Sequence, residues 1–122
     1  MIHGHVILLG ALSLRPFTHP DVTGPYVEWL NAPRVNQFIE SRTIRQTDKT
    51  VKKWVDEANA SETRILFGIY DYKIHIGNVT LYMIDDMQKS LRIGITIGRE
   101  GYSRRGYGVK ALQMVVWYVF DF

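Results

Sequence analysis

The 122-residue sequence contains no cysteine. Neither a disulfide nor a thiolate zinc site can hold it together, and no thiol nucleophile serves catalysis. Runs of one charge are also missing. Fifteen Lys and Arg against twelve Asp and Glu give a net charge of +3, and the cations are scattered. A nucleic-acid groove needs a clustered basic face, so no nucleic-acid partner is expected. A mildly basic balance suits a compact anionic ligand instead. No apolar run reaches the roughly 20 residues that a bilayer crossing requires. The opening stretch Met1 to Gly10 is apolar but short, with no Lys or Arg in front, and reads as part of a strand. No membrane partner is expected, and a soluble, cytoplasmic protein fits a cysteine-free chain. Two nucleotide fingerprints are absent as well, the P-loop G-x-x-x-x-G-K-S/T and the dinucleotide G-x-G-x-x-G.

A hydrophobic fraction of 46% with 12% aromatics belongs to a globular chain. Its length leaves room for one domain over residues 1–122. The segment Val6 to Phe17 reads as a strand or hairpin with Leu8, Leu12 and Leu14 as core. Pro16 and Pro20 end it. Asp21 is placed to cap a short helix carrying Val22, Tyr26, Trp29 and Leu30, which Asn31 and Pro33 stop. Val35, Phe38 and Ile39 suggest a further helical turn. Thr47 is an N-cap with Asp48 at the positive end of the helix dipole, and Val51, Trp54, Val55 and Ala58 form the stripe that follows. From Thr63 the period changes to two. Ile65, Phe67 and Ile69 alternate with Leu66, Gly68 and Tyr70, then Asp71-Tyr72-Lys73 turns the chain into a strand from Ile74 to Ile84. After a polar connection from Asp85 to Ser90, Leu91, Ile93, Ile95 and Ile97 alternate with Arg92, Gly94, Thr96 and Gly98. A final helix places Val109, Leu112, Val116 and Val119 on one face. This order predicts an α+β domain, an antiparallel sheet with packed helices.

The chemistry concentrates between Ile93 and Lys110, a strand, a turn rich in Gly and Arg, and a helix. Gly106 and Gly108 have no Cβ, so backbone N–H groups there can approach a bulky anion. The helix that follows offers unpaired N–H groups and a partial positive charge, and Arg104 and Arg105 add formal charge. A diphosphate is the natural occupant. The plainer alternative is a tight strand-to-helix turn with solvated arginines.

At these residues the chain resembles the GNAT family of N-acetyltransferases. The family's pyrophosphate loop, Q/R-x-x-G-x-G/A, aligns with Ser103-Arg104-Arg105-Gly106-Tyr107-Gly108. Ser103 stands where the family has Gln or Arg, a departure that weakens one phosphate contact. Ile93 to Gly98 resembles the family's fourth strand, and Ala111-Leu112 with Tyr118-Val119-Phe120 its third helix. Leu14-Arg15-Pro16, Tyr26 to Asn31 and Ile76-Gly77-Asn78-Val79 resemble the branch that includes ribosomal-protein and amino-sugar acetyltransferases. The resemblance implies the acyl-CoA N-acyltransferase fold and acetyl-CoA as cosubstrate. Ile95, Thr96 and Ile97 would hold the pantetheine arm, and the amides of Arg104, Arg105, Gly106, Tyr107, Gly108 and Val109 the pyrophosphate. A primary amine, on a small molecule or a peptide, would attack the thioester directly, with a backbone N–H near Ile97 stabilising the oxyanion. The family fold continues past its third helix with further strands and a helix, so the resemblance implies a domain lacking its C-terminal part, and self-association through the surface left open.

The resemblance also places Trp29, Asn31 and Arg42 near the acceptor pocket, with Glu40 as a base, although a helix-end carboxylate and core tryptophans are the plainer readings. His3 and His5 form an isolated H-x-H, and His19 and His75 read as ordinary surface or strand histidines, so no metal is expected. A CoA-binding or interaction module without catalysis is the alternative function.

Overall fold

The computed structural model describes residues 6–32, 45–85, 90–102 and 106–121. Five strands form one antiparallel sheet in sequence order. They are β1 (Ile7–Leu9), β2 (Leu12–Pro16), β3 (Arg64–Asp71), β4 (Ile74–Asp85) and β5 (Ser90–Ile97). The helices are α1 (Gly24–Asn31), α2 (Asp48–Ala60) and α3 (Tyr107–Asp121). The anticipated N-terminal hairpin is present, turning at Gly10 with φ 61. Its buried residue on β1 is Ile7 and not Leu8, which is 68% exposed. The register Leu9↔Leu12 sets this parity, because a one-residue difference moves a side chain to the opposite face.

The period-two pattern of β3 divides the molecule into layers. Ile65, Phe67 and Ile69 face a core completed by Ala111, Met114, Val115 and Tyr118 of α3. Leu66, from the opposite parity, joins Phe17, Val22, Tyr26 and Trp29 with Val51, Val55 and Ala58 of α2. The central strand is therefore buried on both faces, as a sheet between helices demands.

Thr47 caps α2 as its sequence predicts, its hydroxyl oxygen accepting from the Thr50 amide at 3.2 Å. The start of α1 differs from expectation. Thr23 is the N-cap, and Asp21 lies earlier, in a single 3-10 turn (His19–Asp21). The Asp21 carboxylate instead accepts from the Thr18 amide at 2.8 Å and the Thr18 hydroxyl at 3.0 Å. Pro25 explains the shift, since proline is accommodated in a helix's first turn, where its missing N–H costs nothing. The predicted turn at Val35 to Ile39 lies outside the described residues.

A second difference concerns α3. Val109, Leu112, Val116 and Val119 do share a face, but it is exposed, and the sheet takes the stripe Ala111, Met114, Val115 and Tyr118. The helix is apolar nearly all round, so periodicity marks two stripes and docking chooses one. Ala111 is small and fully buried, which lets the helix come close to the strands.

Candidate functional site

The end of β5 is locked to β4 by the chain that follows it. The Gly98 and Arg99 amides both donate to the Ile76 carbonyl, at 2.9 and 3.1 Å. Gly98 N flanks the Gly77↔Ile97 pair, which makes that pair the non-hydrogen-bonded kind. The Ile97 amide is consequently turned away from β4, toward the outer edge of β5. Alternation gives the Ile95 amide the same direction, while the main-chain groups of Thr96 are directed at Asn78 of β4. Ile97, Ile95 and Ile93 pack their side chains toward the α3 core.

Beyond β5 the chain turns at Gly101, with φ 88, and reaches Tyr102. The Tyr102 hydroxyl donates to Asp71 Oδ2 at 3.1 Å, and its ring lies 4.9 Å from that of Tyr107. Tyr102 thereby fixes the loop against the β3–β4 end of the sheet. Ser103, Arg104 and Arg105 lie outside the described residues. Gly106 resumes the chain with φ 75, a left-handed value that favours glycine. Its carbonyl accepts from the Lys110 amide at 3.0 Å, the first bond of α3. The amides of Tyr107, Gly108 and Val109 have no acceptor among the described residues, as helix geometry requires. A Cβ on Gly108 would meet Ile97 Cγ1 at 3.9 Å, an ordinary contact. Protein packing does not demand glycine at 108. The first turn of α3 thus opens beside the outward-facing amides of β5.

The opposite face of the same strand end carries a second constellation. The Trp29 indole packs on Gly98, Arg99 lies 5.3 Å from the indole, and Arg99 Nε donates to the His75 carbonyl at 2.8 Å. Pro25, Glu28, Trp29, Ala32, Arg99 and Glu100 line a surface depression here. His75 sits among the rings of Phe17, Tyr26, Trp29 and Tyr70, with centroids 4.9 to 5.4 Å away. Burial lowers its pKa from the usual 6.5 and keeps it neutral, with Arg99 acting in the same direction. Burial also pushes the Tyr26 hydroxyl well up and that of Tyr70 up to about 12, so both stay protonated.

The geometry brings Ile95, Ile97, Gly106, Tyr107, Gly108 and Val109 to one end of the sheet and places Trp29 on the other side of the same strand. Trp29 is buried and serves the core as well as the depression. Asn31 spends its side chain on structure: Oδ1 accepts from the Gln46 amide at 2.7 Å, and Nδ2 donates to the Gln46 and Val27 carbonyls. Glu40 and Arg42 lie outside the described residues. Sequence reasoning read His75 as an ordinary surface or strand histidine and gave Asn78 no role of its own, because a bulge in β4 is needed to bring the two together. No group of metal ligands forms among the described residues.

A family model described as an acetyltransferase (GNAT) domain matches residues 11–122. The chain belongs to the GNAT acetyltransferase domain family. It carries the domain of acetyl-CoA-dependent N-acetyltransferases, and the acetyl donor of this family is acetyl-CoA. Solved structures share the fold. RimL, a ribosomal-protein alpha-N-acetyltransferase in complex with coenzyme A, aligns at a TM-score of 0.81 and 16% identity, covering 93% of this chain and 67% of its own. An acetyltransferase of Salmonella typhimurium, described as modifying the N-terminal serine of a ribosomal protein, aligns at 0.74 and 16%, covering 96% and 69%. A GNAT acetyltransferase from Bacillus anthracis aligns at 0.76 and 18%, covering 96% and 67%. A further acetyltransferase structure, at a TM-score of 0.74 and 11% identity, is covered over 63% of its length, so the chain spans about two thirds of these proteins. No curated protein sequence matched. Among the described residues no helix is long and apolar enough to cross a membrane.

Proposed function

We propose that this GNAT domain transfers the acetyl group of acetyl-CoA to a primary amine by direct attack. The observation that carries the reading is the juxtaposition of three α3 amides without an acceptor among the described residues, at Tyr107, Gly108 and Val109, with the outward-facing amides of Ile95 and Ile97. The first set suits a diphosphate at a helix N-terminus and the second suits the amide-bearing pantetheine arm. Gly108, which the packing does not require, leaves room for a phosphate to approach the backbone. Arg104 and Arg105 belong to the same loop and would add charge to the diphosphate site.

In the reaction the neutral amine attacks the thioester carbonyl carbon, the C–S bond breaks, and the amide and free CoA form. One amine proton goes to a base and the departing thiolate takes one up. A backbone N–H near Ile97 would stabilise the developing oxyanion. Glu40 is our choice for the base, and Glu40→Gln should lower turnover while leaving acetyl-CoA affinity unchanged. The acceptor is a small-molecule or peptide amine; the RimL likeness favours a protein α-amine. A panel of amines incubated with acetyl-CoA, followed by thiol release, tests the proposal. Thiol release that no amine stimulates would leave only CoA binding.

A further inference from the structure

We infer that Asn78, oriented by His75, donates its side-chain N–H to a carbonyl oxygen bound in the transfer site. The inference rests on the proposed placement of acetyl-CoA along β5.

In a regular strand, residues three apart point to opposite faces. His75 and Asn78 share a face because β4 is bulged: Tyr70 pairs with His75 and Ile69 with Gly77, leaving Ile76 as the extra residue. His75 Nε2 then lies 2.8 Å from the Gly77 carbonyl and 2.7 Å from Asn78 Oδ1. A main-chain carbonyl can only accept, so Nε2 carries the proton and Asn78 must present its oxygen to it. This fixes the amide. Oδ1 faces His75, and Nδ2 points away from it.

Asn78 is 7% exposed, and among the described residues its Nδ2 has no hydrogen-bond partner. A buried N–H without an acceptor is costly and calls for an explanation. Its location supplies one. Asn78 is the cross-strand partner of Thr96, and through His75 it lies on the face of the sheet that carries Trp29 and the surface depression. The aromatic wall of Phe17, Tyr26, Trp29 and Tyr70 holds the His75 ring, so the donor is set before any ligand arrives. A group that completes it must offer a lone pair and no competing hydrogen, which describes a carbonyl oxygen. The thioester carbonyl and a carbonyl on the acceptor, one or two atoms from its amine, share that chemistry.

Calorimetry with CoA and with acetyl-CoA separates the two, because the acetyl group is their only difference. Asn78→Leu removes the amide, and Asn78→Asp removes the N–H but keeps the oxygen that His75 bonds. If the thioester carbonyl is the acceptor, both variants lower acetyl-CoA affinity at least tenfold relative to CoA. If the carbonyl lies on the amine substrate, that ratio stays constant, and the Asn78 side-chain amide resonance of the CoA complex moves with glycinamide but not with ethylamine. His75→Leu should reproduce either loss and His75→Gln, which retains a donor, should lessen it; equal losses would remove the positioning role of His75. Thermal stability should hold or rise in Asn78→Leu, since an unpaired buried donor is gone. CoA binding with Asn78 silent in both arms overturns this inference alone. No binding of CoA overturns the donor placement and this inference with it.

Discussion

The Trp29 indole lies so close to Gly98 that a Cβ at position 98 would clash with its Cε3, Cδ2 and Cγ. This contact docks α1 onto the end of β5 and places the surface depression beside the proposed transfer site. Gly98→Ala should therefore push the indole out and cost about 2 kcal/mol, the usual range for an overpacked core. Gly94→Ala is the control, because its Cβ would meet only Thr80 O and Tyr82 Cε2 at 3.9 Å. A urea midpoint that falls for Gly98→Ala and holds for Gly94→Ala, with a red shift of tryptophan emission, is the expected result.

Gly106 and Gly108 should separate folding from CoA binding. Gly106→Val places a branched side chain at φ 75 and should lower both stability and CoA affinity. Gly108→Val meets only an ordinary contact with Ile97, so its stability should hold while CoA affinity falls at least tenfold, about 1.4 kcal/mol. Calorimetry at matched folded fraction reads the difference. An unchanged dissociation constant for Gly108→Val would count against the diphosphate site.

His75 makes stability depend on pH. Its pKa in the folded chain is below the value of 6.5 taken for the unfolded chain, so the unfolded state binds more protons between the two. The contribution is complete above pH 6.5 and is lost as pH falls below it. Arg99 reinforces the depression, while the Asn78 and Gly77 bonds and the Asp21 charge oppose it. Wild-type protein should lose more stability from pH 7.5 to 5 than His75→Gln does in parallel urea titrations. Superimposable profiles would dismiss the linkage.

Self-association should proceed through the outer side of α3 and the β5 edge. Val109, Leu112, Val116 and Trp117 are 41 to 60% exposed on that helix, and β5 ends the sheet among the described residues. An apolar face beside an open edge favours pairing. Light scattering should show mass rising with concentration, and Val116→Lys should restore the monomer. A monomer at every concentration with wild-type sequence would refute the expectation.

The sequence by itself determined the strands β3 to β5, the start of α2 and the turn into α3. Alternation in β3 and β5 is a local property, and so are the Thr47 cap and the Gly106–Gly108 spacing that marks the turn into α3. These depend on neighbours along the chain, which a sequence displays directly. Tertiary structure decided what local pattern leaves degenerate. Register put Ile7 inside and Leu8 outside, although both are equally apolar. Docking chose Ala111, Met114, Val115 and Tyr118 from a helix with two apolar stripes. The bulge at Ile76 turned His75 and Asn78 to one face, against the parity their spacing implies. Each of these outcomes depends on which surfaces meet, because a hydrophobic side chain is indifferent to its partner until packing excludes the alternatives.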